Sequence, residues 1–166
     1  MEMKARVEKH GPVFDGHGPE IVQRELDRVI TEAVAFLERD VKELTPVGVF
    51  GAQGGLLGSI AGEVRGRGTP AVKGIVASAQ KYAEPVEKGT RPHFPPLDPI
   101  QLWVERKLGI DASESRSVAF MIARAISRRG TKGQRMFERA LEENWPVLER
   151  MFERAGFRIT RRLDGQ

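Results

Sequence analysis

Between Pro19 and Pro46 the chain keeps one helical period without a break: Val22, Leu26, Val29, Ile30, Ala33, Leu37, Val41 and Leu44 recur every three or four residues. Proline suits a first helical turn, where its missing N–H is not needed, and it also suits the position just past a helix end. The pattern predicts a long amphipathic helix over 19–44 with one face on a core or a neighbouring subunit. Arg24, Asp27, Arg28, Glu32, Arg39 and Lys42 fall on the other face. Residues 1–18 hold Gly, Pro and His without periodicity and are expected to form a flexible N-terminal arm. His10 and His17 lie in it with no third ligand at metal-site spacing, so no metal is expected.

After this helix the pattern changes. "TPVGVFGAQGGLLGSI" carries five glycines in 16 residues and predicts a loop. No Gly-Lys-Ser/Thr ending follows and no apolar strand feeds it, which argues against a phosphate-binding loop. Leu57–Val64 and Ala71–Gln80 alternate like strands, with Ile60 and Val64 on one side of the first and Val72 and Val76 on one side of the second. "RGRGTP" between them reads as a hairpin connection. "KYAEPVEKGTRPHFPP", residues 81–96, places a tyrosine, two acids, a Gly-Thr pair and four prolines between ordered segments. Tyr82, Ala83 and Val86 fit one helical turn containing Pro85, and Gly89 permits a sharp exit.

Three helices are expected beyond it. The first takes Asp98 as cap and Pro99 at its first position, offers Leu102, Trp103 and Leu108 for packing, and stops at Gly109. The second starts from Ser113 or Ser115, carries Val118, Ile122, Ala125 and Ile126 on one face, and ends at "SRRG". The third runs from about Gly133 to Ala155 with a kink or restart near Pro146. Residues 157–163, "FRITRRL", are either a third strand against the hairpin or a frayed tail. The fold class expected is α+β, with a long N-terminal helix, a small antiparallel β-sheet and C-terminal helices, as a single domain over 19–166.

Composition narrows the function. With no cysteine there is no disulfide, thiolate metal site or cysteine nucleophile. No apolar run approaches a membrane span or a signal peptide, so a cytoplasmic protein without membrane contact is expected. The net charge is +4, and the excess lies late: residues 101–166 hold fourteen Lys/Arg against nine Asp/Glu. Acids are interleaved there, which favours solvated helix faces over a nucleic-acid patch. Ser59, Ser78 and Ser127 lack a nucleophile context, and Glu87 has no partner carboxylate or histidine, so no catalytic residue and no cofactor are expected.

The words "TPVG" and "GGLLGSI" at 45–60, "YAEPVEKGT" at 82–90 with "RPHFPP" behind it, and "IARAISRRGTKGQRMF" at 122–137 occur in an order that resembles the tail-component family of long-tailed bacteriophages. Its members are called tail-completion, neck or head–tail joining proteins. The resemblance covers about residues 20 to 155. Family members often carry a more basic strand start where this chain has "GLLGSI", and this chain inserts "HFPPLDPIQLW" after the Gly-Thr.

The resemblance implies a structural virion protein, not an enzyme, located in the neck or proximal tail and assembled in the host cytoplasm. It implies self-assembly into a ring, hexamer or dodecamer, around the DNA channel. The ring would join a connector or head-closure protein to a tail terminator or tail tube protein, with weak DNA contact in the lumen. The alternative is a sequence-tolerant nucleic-acid-binding protein. Loop character and composition nominate Phe50, Gln53, Tyr82, Glu87, Arg91, His93 and Phe94 as the partner interface. Arg124, Arg128, Arg129, Lys132 and Arg135 are expected to face either DNA or a partner. Phe120 and Phe137 are expected on core faces, which leaves a single-strand binder short of stacking residues.

Overall fold

A computed structural model describes residues 11–49 and 54–164. His10, Phe50 and Gln53 lie outside the described residues. The element order is α1 (Gly18–Leu44), α2 (Gly55–Ser59), β1 (Ile60–Arg65), β2 (Lys73–Ser78), α3 (Ala83–Lys88), β3 (Gly89–Thr90), α4 (Leu97–Leu108), α5 (Ala112–Arg129), β4 (Thr131–Lys132) and α6 (Met136–Leu163). The fold is α+β, with the long N-terminal helix, a small antiparallel sheet of β1 and β2, and C-terminal helices. β3 and β4 form a second antiparallel pair that periodicity did not predict, in the register Gly89 with Lys132 and Thr90 with Thr131.

Two compact units divide the chain. One comprises Met1–Phe36, Gly62–Ile75 and Asn144–Gln166, the other Leu37–Ala61 and Val76–Glu143. The stretch expected as one domain from residue 19 onward thus contributes to both.

In the first unit, Val29, Ala33 and Val34 of α1 and Leu148 and Ala155 of α6 are buried. A side chain at Gly74 would run into Val34, so the strand carries glycine where α1 approaches its backbone. The hairpin connection forms as expected, with Gly66 and Gly68 at positive φ and the Gly68 N–H donating to Asp27 Oδ2 at 3.0 Å.

Residues 157–163 correct the sequence expectation: they are neither strand nor frayed tail but the last two turns of α6. The reason is visible on α1. Glu25, 1% exposed, receives Arg158 Nε at 2.7 Å and Arg162 Nη1 at 3.0 Å, and only a helix sets residues four apart on one face toward a single carboxylate. Helix α6 also continues through Pro146 without a restart.

The second unit closes on Val41, Leu56, Ile60, Met136 and Ala140, with Leu44, Val76, Ala83, Val86 and Phe137 packed around them. Residues 57–59, expected to begin a strand, instead belong to α2, which buries Leu56 in this core; Ser59 Oγ donates back to the Leu56 carbonyl at 2.7 Å. Strand β1 then begins at Ile60.

Of the residues nominated on α4 and α5, Leu102, Val118, Ile122 and Ile126 are half-buried. Val104, Ser115, Ala119 and Ala123 are buried, whereas Trp103, Leu108 and Ala125 are exposed. The buried residues at i, i+4 and i+8 of α5 are small, which lets α4 come close, and Ser115 Oγ donates to Glu105 Oε1 at 2.7 Å. Gly109 ends α4 in the left-handed conformation, as its position predicted, but the α5 cap position is Asp111 rather than Ser113 or Ser115.

Candidate functional site

Residues 86–91 of the stretch 81–96 come to lie against residues 130–138, all within the second unit. Two four-residue words meet here: Lys88-Gly89-Thr90-Arg91 and Arg129-Gly130-Thr131-Lys132, each a Gly-Thr between basic residues. They pair with near-reciprocal hydrogen bonds. The Thr90 N–H donates to Thr131 Oγ1 at 3.1 Å, the Thr131 N–H donates to Thr90 Oγ1 at 3.2 Å, and the two hydroxyls are 3.0 Å apart.

Glycine is obligatory on both sides. A Cβ at Gly89 would strike the Thr131 carbonyl, one at Gly130 the Thr90 carbonyl, and one at Gly133 the Glu87 carbonyl. Gly89 and Gly130 also adopt φ of 80° and 70°, a region that side chains disfavour. Backbone donors beyond the pair close the joint: Gln134 N–H to the Val86 carbonyl at 2.8 Å and Arg135 N–H to the Glu87 carbonyl at 3.0 Å.

Glu87, nominated as a partner contact, is built into this joint. Its carboxylate accepts the N–H of Phe137 on one oxygen, at 3.1 Å, and the N–H of Glu138 on the other, at 3.0 Å. These are donors of the first turn of α6, which have no partner within their own helix. A residue fifty positions earlier therefore does the work of a cap. Arg135, of the basic group, sits at φ 52° just before α6 and pairs with Glu138 at 2.6 Å and Glu142 at 3.4 Å. The hydrogen bond to Glu138, joined by its charge, pushes the Arg135 guanidinium above its usual value and draws the Glu138 carboxyl below its own. Arg135 is thereby engaged within its own chain.

The remaining nominated residues among those described are exposed. Tyr82, Arg91, His93 and Phe94 line the outside of the loop, and the His93 Nδ1–H, in the tautomer that carries it, donates to the Arg91 carbonyl at 2.9 Å. Phe94 meets Phe120 of α5 with ring centroids 6.0 Å apart in a tilted arrangement. Phe120 was expected in the core; it is 49% exposed, because α5 turns Ser115, Ala119 and Ala123 inward. Arg124 and Arg128 lie one and two turns beyond it on the same exposed face, as does Met121. Arg129 and Lys132 are exposed beside the Gly-Thr joint.

From the sequence Gly130 is read only as a helix end, Gly133 only as a helix start, Phe120 only as a core residue and Thr131 only within a longer word. The duplicated basic-Gly-Thr-basic word was the available signal for Gly130 and Thr131. Among the described residues, no group of three or more His, Asp or Glu is placed to hold a metal ion, and no helix is long and apolar enough to cross a membrane. No family model, curated protein or solved structure matches the chain.

Proposed function

We propose that the chain is a structural virion protein of the bacteriophage neck, joining the capsid connector to the tail as a ring of identical subunits around the DNA channel. One observation carries the reading. Two of the words that carry the resemblance, at 82–90 and 122–137, are separated in sequence and share one joint held by glycine backbone approach and by the Glu87 carboxylate. Their residue types answer to a building constraint, as words characteristic of a structural family would. The loop from Arg91 to Pro96 leaves that joint with Phe94 exposed, stiffened by Pro92, Pro95 and Pro96, and thus loses little entropy on meeting a partner.

In this reading the chain performs no catalysis. Its partners are further copies of itself in a hexamer or dodecamer, a connector or head-closure protein on one side and a tail terminator or tail tube protein on the other. Contact with DNA in the lumen is weak, because tight binding would impede its passage. The test is the mass of the purified protein by light scattering, alone and after mixing with connector-bearing capsids or tail tubes, with imaging of the mixtures. A ring of density at the head–tail junction is expected; a protein that joins neither particle removes the reading.

A second reading, a sequence-tolerant nucleic-acid binder, gains from the exposure of Phe120 beside Arg124 and Arg128, since stacking next to basic residues suits single strands. It requires retention of an oligonucleotide near physiological salt, whereas the neck reading expects release there.

A further inference from the structure

Two exposed helix faces in different units share one spacing with opposite charge. On α5, Phe120, Arg124 and Arg128 follow at i, i+4 and i+8; on α6, Trp145, Glu149 and Glu153 follow at the same intervals. All six are exposed, with Phe120 at 49% and Trp145 at 54%. Among the described residues neither arginine is engaged in an ion pair, and Glu149 accepts only the Trp145 indole N–H, at 2.8 Å. Ser113 and Ser117 continue the α5 face, so it carries no acid.

We infer that these faces bind each other between copies: α5 of one chain lies against α6 of the next, running parallel. In that register the aromatic side chains Phe120 and Trp145 meet, and Arg124 and Arg128 stand opposite Glu149 and Glu153, about 6 Å apart along each axis. Aromatic and arginine anchors in one patch are the composition that carries interface energy. A nucleic acid would cover the basic face but be repelled by the acidic one, and only another copy of the chain supplies both complements. The contact uses two different surfaces, so it is head-to-tail, the kind of interface that builds a ring when its rotation closes. It deepens the ring reading above by naming the subunit interface.

The chain has no cysteine, so introduced thiols report the contact directly. Arg124→Cys protein mixed with Glu149→Cys protein under mild oxidation is expected to form the mixed disulfide dimer about tenfold more than Arg124→Cys mixed with Lys107→Cys, a control on α4. Sedimentation completes the test. Arg124→Glu with Arg128→Glu is expected to weaken self-association about tenfold or more, as is Glu149→Arg with Glu153→Arg, and mixing the two reversed proteins is expected to restore it. Circular dichroism checks that the variants remain folded.

Equal cross-linking in both mixtures overturns the inference. So does a reversal at Arg124 and Arg128 that abolishes oligonucleotide retention while leaving the mass unchanged. Both measurements use the purified chain without particles, so failure of this contact and failure to join capsids or tails are separate results.

Discussion

Glu25 ties α1 to the end of α6 within the first unit. Its buried carboxylate takes Arg158 and Arg162 from α6, and it is held below its ordinary value of 4.5, first by the Arg158 hydrogen bond and then by the charge of both arginines, against the opposing effect of burial. The lowered value fixes the sign of its pH dependence. The contribution is complete above pH 4.5 and is lost as pH falls through the lower folded value. Glu25→Ala is expected to cost about 2 to 3 kcal/mol at neutral pH, measured by urea unfolding, and Glu25→Gln to flatten the acid limb of the stability profile.

The Gly-Thr joint gives two sharper predictions at the same scale. Gly130→Ala places a methyl on the Thr90 carbonyl in a backbone conformation that alanine resists, and is expected to cost about 3 kcal/mol or more. Glu87→Ala leaves two first-turn donors of α6 unpaired and is expected to cost about 1 to 2 kcal/mol. If Glu87 served only a partner, its removal would leave the unfolding midpoint of the isolated protein in place.

At the scale of elements, Pro146 is the test. It lies inside a continuous α6, where it withdraws one hydrogen bond and crowds the preceding turn. Pro146→Ala is therefore expected to raise stability, by about 1 to 3 kcal/mol in the same unfolding experiment. Helix α1 was legible because period and punctuation agreed, with Pro19 and Pro46 bracketing eight apolar positions. Residues 157–163 were not legible: Phe, Ile and Thr favour a strand locally, and the helical outcome is sustained by Glu25, more than a hundred residues away. Leu57 was misread for a similar reason, since the short α2 exists to deliver Leu56 to Val41, Ile60 and Met136. On α5 the larger apolar residues drew attention, but close packing against α4 selected serine and alanine.

For the whole molecule the proposed role turns on assembly. Retention of DNA by the purified protein is expected to be weak and to vanish as salt is raised to physiological strength, read by gel shift over a salt series. Persistent micromolar retention there would favour the nucleic-acid reading, with Phe120, Arg124 and Arg128 as its first candidates. Of the nominated loop residues, Tyr82, Arg91, His93 and Phe94 are exposed and free to meet a partner, whereas Glu87 is committed to α6.

The α+β class, the long first helix, the hairpin with its glycine connection, and the stops at Gly109 and Gly130 were legible in the amino-acid order alone. Each of these rests on local chemistry: helical period, proline geometry, and glycine at positive φ. The pairing of the two Gly-Thr words, the capping of α6 by Glu87, the helical state of residues 157–163 and the exposure of Phe120 became visible in the folded chain. Those outcomes depend on groups distant in sequence competing for the same carboxylate, carbonyl or packing space, and local propensity carries no record of which group will be there.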